Sequence, residues 1–126
     1  MNYYHHECGN DMFGKETMKT IMDKFKILVN IHQTDFYHTL EELRILPSLM
    51  TGILIVSEDV PYKGNIPFSK HIIWSSYDDL PKTINDVLLN YEVYREKYLT
   101  GIDETITNMK TDSSKTLTSI FKDYIK

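Results

Sequence analysis

Between Lys26 and Asp59 apolar and polar blocks alternate in an order that predicts strand, polar loop, helix, glycine stop and strand. Ile27-Leu28-Val29-Asn30-Ile31 and Ile53-Leu54-Ile55-Val56 are near-continuous aliphatic runs. Such runs suit strands covered on both faces, as in parallel sheets sandwiched by helices. About twenty residues separate them, which is enough for a crossover helix and too many for a hairpin. Within that span Thr39 and Glu42 fit a capping box at a helix start. Leu40, Leu43, Pro47 and Met50 then fall on one face, widened by Ile45 and Leu49. Pro47 lacks the N–H that would bond back to Leu43, so a kink or a late helix start is expected. Gly52 ends the helix before the second strand.

Outside this stretch the pattern is coarser. Tyr3 to Glu7 reads as a short strand, and Met18, Ile21, Met22 and Phe25 place a helix over Lys15 to Lys24. Pro61, Gly64 and Pro67 mark an irregular connection leading to a third core strand, His71-Ile72-Ile73-Trp74. Ile84, Val87, Leu88, Tyr91, Tyr94 and Tyr98 trace one face of a single long helix that starts near Pro81 and stops at Gly101. Ile106 and Met109 continue a helical face, Thr111-Asp112-Ser113-Ser114 interrupts it, and Leu117, Ile120, Phe121 and Tyr124 resume it in a loosely docked last helix. Strands alternating with helices define an α/β class with an open parallel sheet, flanking helices and C-terminal helices. Residues 1–100 form the expected domain and residues 101–126 a helical tail.

Composition narrows the function classes. The chain has 126 residues, 41% of them hydrophobic and 25% charged, the profile of one ordinary globular domain. A formal net charge of −4 argues against nucleic acid as the main partner, which needs a basic face. One cysteine, Cys8, excludes an internal disulfide and suits a reducing compartment. No apolar run approaches the roughly 18 residues of a membrane helix, and Met1-Asn2-Tyr3-Tyr4-His5-His6 lacks the form of a signal peptide. A cytoplasmic protein without a membrane span is expected.

Candidate chemistry concentrates at the strand ends. His32-Gln33-Thr34 follow the first strand and Ser57-Glu58-Asp59 the second, and open α/β sheets bind ligands in the crevice beyond such carboxyl ends. A helix N-terminus there attracts anions, but Glu41 and Glu42 supply negative charge of their own and are better suited to accepting hydrogen bonds from sugar hydroxyls. Arg44 offers a fork to a phosphate. Alternatively Glu42 only caps the helix, while Glu41 and Arg44 form a surface pair. His32 and His38 suit metal binding or proton transfer, or simple capping of the strand. His5-His6-Glu7-Cys8 has the composition of a metal site, but neighbours in an extended segment point to opposite faces, so no metal site is assigned. The chain has no glycine-rich phosphate loop and no serine elbow.

The run from Asn30 to Glu58 carries a resemblance. Asn30-Ile31-His32, then Leu40-Glu41 and Arg44, then Gly52 and Ile55-Val56-Ser57-Glu58 resemble the donor-binding, C-terminal half of glycosyltransferases with two Rossmann-like domains (the GT-B type). The likeness is to capsule- or spore-type members and to similar proteins of large DNA viruses, and it covers roughly Phe25 to Tyr98. It implies a partial Rossmann-like fold, a nucleotide-sugar as donor substrate, no metal and no other cofactor. By position, Glu41 would hold ribose or sugar hydroxyls and Arg44 the diphosphate. Gln33, Thr34 and His38 would line the donor loop, and Glu58 would stand at the mouth of the second strand. His32 is the local candidate for an acid, a base or a donor to the leaving group. Many relatives carry two glutamates on this helix where the present chain has Thr39 and Pro47. The chain resembles the last two-thirds of one half and lacks an acceptor half, which implies binding without turnover, or turnover only with an acceptor-domain partner. An uncovered sheet edge implies self-association. The alternative function is a non-catalytic interaction module that keeps the sheet and has lost the donor site.

Overall fold

A computed structural model describes residues 20–21, 23–32, 40 and 42–124. Three strands, β1 (Ile27–Asn30), β2 (Leu54–Glu58) and β3 (Ile72–Ser75), form one sheet in the order β1-β2-β3. Both pairings are parallel, with Leu28 opposite Ile55 and Val56 opposite Ile73. The helices are α1 (Glu42–Met50), α2 (Leu80–Leu89), α3 (Tyr91–Leu99) and α4 (Ile102–Tyr124). Two short 3-10 turns, Lys63–Asn65 and Ser69–His71, fill the connection between β2 and β3. The expected strand at Tyr3–Glu7 lies outside the described residues, as does most of the helix expected over Lys15–Lys24; Thr20 and Ile21 are helical.

Alternation along the strands sends side chains to two apolar layers. Leu54 and Val56 with Ile73 face Leu80 and Val87 of α2, and Tyr91, Tyr94 and Tyr98 of α3 close over them. Ile55 and Ile72 face the opposite way, against Ile45 and Leu49 of α1 and Phe68 of the connection, with Ile102 and Met109 of α4 packed alongside. β2 is therefore buried on both faces, as its unbroken aliphatic run requires. At β1 the cover is incomplete: Val29 and Ile31 are exposed, and among the described residues β1 pairs only with β2.

Four local expectations change. The buried stripe of α1 is Ile45, Ser48 and Leu49, whereas Leu43 is 95% exposed and Met50 is exposed as well. Packing on β2 selects that face. It leaves Pro47 on the exposed side of the helix. Secondly, Leu40 is not helical, and the first described residue of α1 is Glu42. Thirdly, the long helix divides at Asn90, whose φ of −119° and ψ of 38° leave the helical region. Its side-chain amide bonds back to the Asp86 carbonyl at 3.2 Å, competing with the helix in the manner of asparagine. Finally, α4 runs unbroken through Thr111-Asp112-Ser113-Ser114. Thr111 Oγ1 bonds to the Thr107 carbonyl at 3.0 Å and Thr118 Oγ1 to the Ser114 carbonyl at 2.8 Å, so these hydroxyls are satisfied within the helix. Beyond Met109 every described residue of α4 is exposed, including Leu117, Ile120, Phe121 and Tyr124.

Gly52 does end α1. Its φ is 85°, the Ile53 N–H bonds to the Ser48 carbonyl at 3.1 Å and the Gly52 N–H to the Leu49 carbonyl at 3.1 Å. That is a Schellman closure, which needs a left-handed residue at its centre.

Candidate functional site

Because the strands are parallel, their carboxyl ends share one edge of the sheet, and a β–α–β crossover makes α1 start from that same edge. The register there sets Asn30 opposite Ser57 and Glu58 opposite Ser75. Asn30 is 2% exposed. Its Nδ2 donates to Ser57 Oγ at 3.1 Å, and Ser57 Oγ donates in turn to the Glu58 carbonyl at 3.0 Å. Asn30 Oδ1 accepts no hydrogen bond from the described residues.

Two residues past Asn30, the chain is held by Glu58. The His32 backbone N–H donates to Glu58 Oε2 at 2.9 Å. His32 Nδ1 stands 3.2 Å from the same oxygen, a close contact that is not aligned as a hydrogen bond. The His32 side chain is 3% exposed and that of Glu58 20%. One carboxylate thus joins the tips of β1 and β2, and bonds to an ionised acceptor are roughly twice as strong as neutral ones. At the third tip, Ser75 Oγ donates to the Ser76 carbonyl and lies 3.0 Å from Thr83 Oγ1 of α2. The Asp59 N–H extends the ladder to the Ser75 carbonyl at 2.9 Å, and Asp59 is paired with Lys63 at 2.8 Å on the exposed side.

Of the residues nominated from sequence, His32 and Glu58 come together. Arg44 lies in the first turn of α1 and is exposed; its carbonyl accepts from Ser48 Oγ at 2.9 Å. Gln33, Thr34, His38 and Glu41 lie outside the described residues. The His32 side chain is buried. Its observed contact is with Glu58. Asn30 was not nominated, although an amide inside an otherwise aliphatic strand is the signal that could have found it: buried polar groups need partners. Among the described residues no group of three or more His, Cys, Asp or Glu is placed to hold a metal ion. No helix of the described chain is long and apolar enough to cross a membrane.

Comparison with known proteins adds one relative. No family model matches the chain. No solved structure matches it. It is similar to an uncharacterized protein of Acanthamoeba polyphaga mimivirus, with 33% identity over 98 residues. The aligned part is 74% of this chain and 34% of the relative, so the chain spans about a third of the length of the curated relative it matches.

Proposed function

We propose that this chain is a glycosyltransferase-like domain that binds a nucleotide-sugar donor beyond the carboxyl ends of its parallel strands, on the plan of the Rossmann-like C-terminal half of a GT-B enzyme. The observation that carries this reading is the meeting of the β1 and β2 tips through His32 and Glu58, at the edge where open α/β sheets take their ligands. Arg44, at the α1 start, is assigned to the diphosphate, and the acidic and amide groups nearby to hydroxyls. The donor is a substrate; no metal or other cofactor is assigned. With the His32 ring 3% exposed, the chain binds the donor, and transfer awaits an acceptor-side domain with its own base. Among the described residues β1 pairs only with β2, and that edge, flanked by exposed Val29 and Ile31, supports pairing with such a chain or with a second copy.

The second reading, a non-catalytic interaction module, is favoured by that same burial of His32. Thermal shift against UDP-, GDP- and CMP-sugars separates the two. A bound donor at a hundredfold excess over its dissociation constant adds about 2.7 kcal/mol of stability, whereas silence across the panel leaves the interaction module. Calorimetry then tests the site: Arg44→Ala weakens binding more than Lys82→Ala on α2, and equal affinities remove Arg44 from it.

A further inference from the structure

We infer that Asn30 Oδ1 is the acceptor for an O–H or N–H group of the bound molecule, so that the sheet edge at the β1 and β2 tips takes a hydroxyl-bearing part of the ligand and not its phosphates. This rests on the nucleotide-sugar reading for the identity of the ligand, and adds to it which part of that ligand goes where. Asn30 is 2% exposed, and its amide is oriented by the bond from Nδ2 to Ser57 Oγ at 3.1 Å. Ser57 spends its proton on the Glu58 carbonyl, so it cannot supply one to Asn30 and the amide gains nothing by flipping. The carbonyl oxygen is therefore fixed with no donor among the described residues.

A buried acceptor left so is costly, and native proteins hold few of them without a bound water, ion or function. The chemistry of the neighbours selects the occupant. Ser57 has used its one proton within the cluster, and Asn30 Nδ2 has used one of its two. An ionised phosphate ester in turn has no proton for Asn30 Oδ1. A sugar or ribose hydroxyl, or a base N–H, has one.

Three proteins and two probes test this by calorimetry: wild type, Asn30→Leu and Ser57→Ala, each against UDP-glucose and against inorganic pyrophosphate. Asn30→Leu keeps the volume and removes the acceptor; it weakens UDP-glucose at least tenfold and leaves pyrophosphate within twofold. Ser57→Ala removes only the internal bond and stays within threefold of wild type for both. Equal UDP-glucose affinity in Asn30→Leu and wild type overturns the inference and leaves the nucleotide-sugar reading standing. Wild type silent to UDP-glucose and to the GDP- and CMP-sugars removes that reading and this one together. Should Asn30→Leu not fold, carbon NMR of the wild-type side-chain carboxamide decides. Its resonance moves downfield with UDP-glucose and stays put with pyrophosphate. A resonance unmoved by UDP-glucose means an ordered water only, and refutes the assignment.

Discussion

Replacing His71 by phenylalanine is the sharpest test of how the helical C-terminal part is fastened to the sheet. His71 is 1% exposed and stands immediately before β3. Its Nδ1 lies 2.7 Å from the Tyr98 carbonyl at the end of α3, and its Nε2 lies 2.8 Å from Thr105 Oγ1 in the first turns of α4. A carbonyl can only accept, so Nδ1 donates to it, while Nε2 pairs with the Thr105 hydroxyl, which can donate or accept. One ring thus bolts two helices to the sheet. His71→Phe keeps a ring of similar size and removes both bonds. The Tyr98 carbonyl loses its partner outright, while the Thr105 hydroxyl has a fallback in the Gly101 carbonyl one turn back. With about 1–3 kcal/mol for a buried group left unmet and about 1 kcal/mol for the lost threonine bond, the expected destabilisation is about 2–4 kcal/mol. For a domain of this size that lowers Tm by about 8–16 °C. Urea denaturation followed by circular dichroism measures it at constant slope. A double-mutant cycle with Thr105→Val adds a control, because the threonine half of the loss is then shared and the two changes are less than additive by about 1 kcal/mol. A His71→Phe midpoint within 0.5 kcal/mol of wild type, or strict additivity in the cycle, would refute the bolt.

Two further outcomes are expected. Gly52→Ala destabilises by about 1–2 kcal/mol, purely through backbone strain, since φ there is 85° and an added Cβ meets nothing within 4 Å; an unchanged urea midpoint contradicts the strain argument. Tyr94 donates a hydrogen bond to the Asp86 carboxylate, and that bond, with burial and the Asp86 charge behind it, raises the phenol above its ordinary value of 10.0. Because the folded pKa is the higher one, the interaction is fully present below the unfolded value and is lost as pH rises through the folded value. Ultraviolet titration of phenolate should show a late-ionising tyrosine that Tyr94→Phe deletes and Asp86→Asn brings earlier; identical curves for all three proteins exclude it.

How much of this was legible beforehand differs from element to element. The aliphatic runs at 27–31 and 53–56 marked two strands of one parallel sheet; β2 is covered on both faces as such a run suggests, whereas β1 leaves Val29 and Ile31 exposed. Gly52 and Gly101 marked helix ends, and both take positive φ. The meeting of His32 with Glu58 followed from parallel pairing alone, because residues just beyond parallel strands must converge. By contrast, the face of α1 was misjudged. Leu43, Pro47 and Met50 and the pair Ile45 and Leu49 are both helical stripes, and periodicity cannot rank them. The exposed distal stripe of α4 is the same problem in reverse: an apolar pattern predicts a face that can be buried, not the surface that buries it.

The sequence by itself determined the α/β alternation, the strand cores, the helix stops and the edge of the sheet where polar side chains gather. These depend on neighbours a few residues apart, within reach of backbone sterics and hydrogen-bond geometry. Only the tertiary structure decided that Asn30 is sealed against Ser57, 27 residues away, and that His71 reaches Tyr98 and Thr105, 27 and 34 residues away. A buried polar group is defined by what surrounds it, and those surroundings come from chain segments that local pattern cannot bring together.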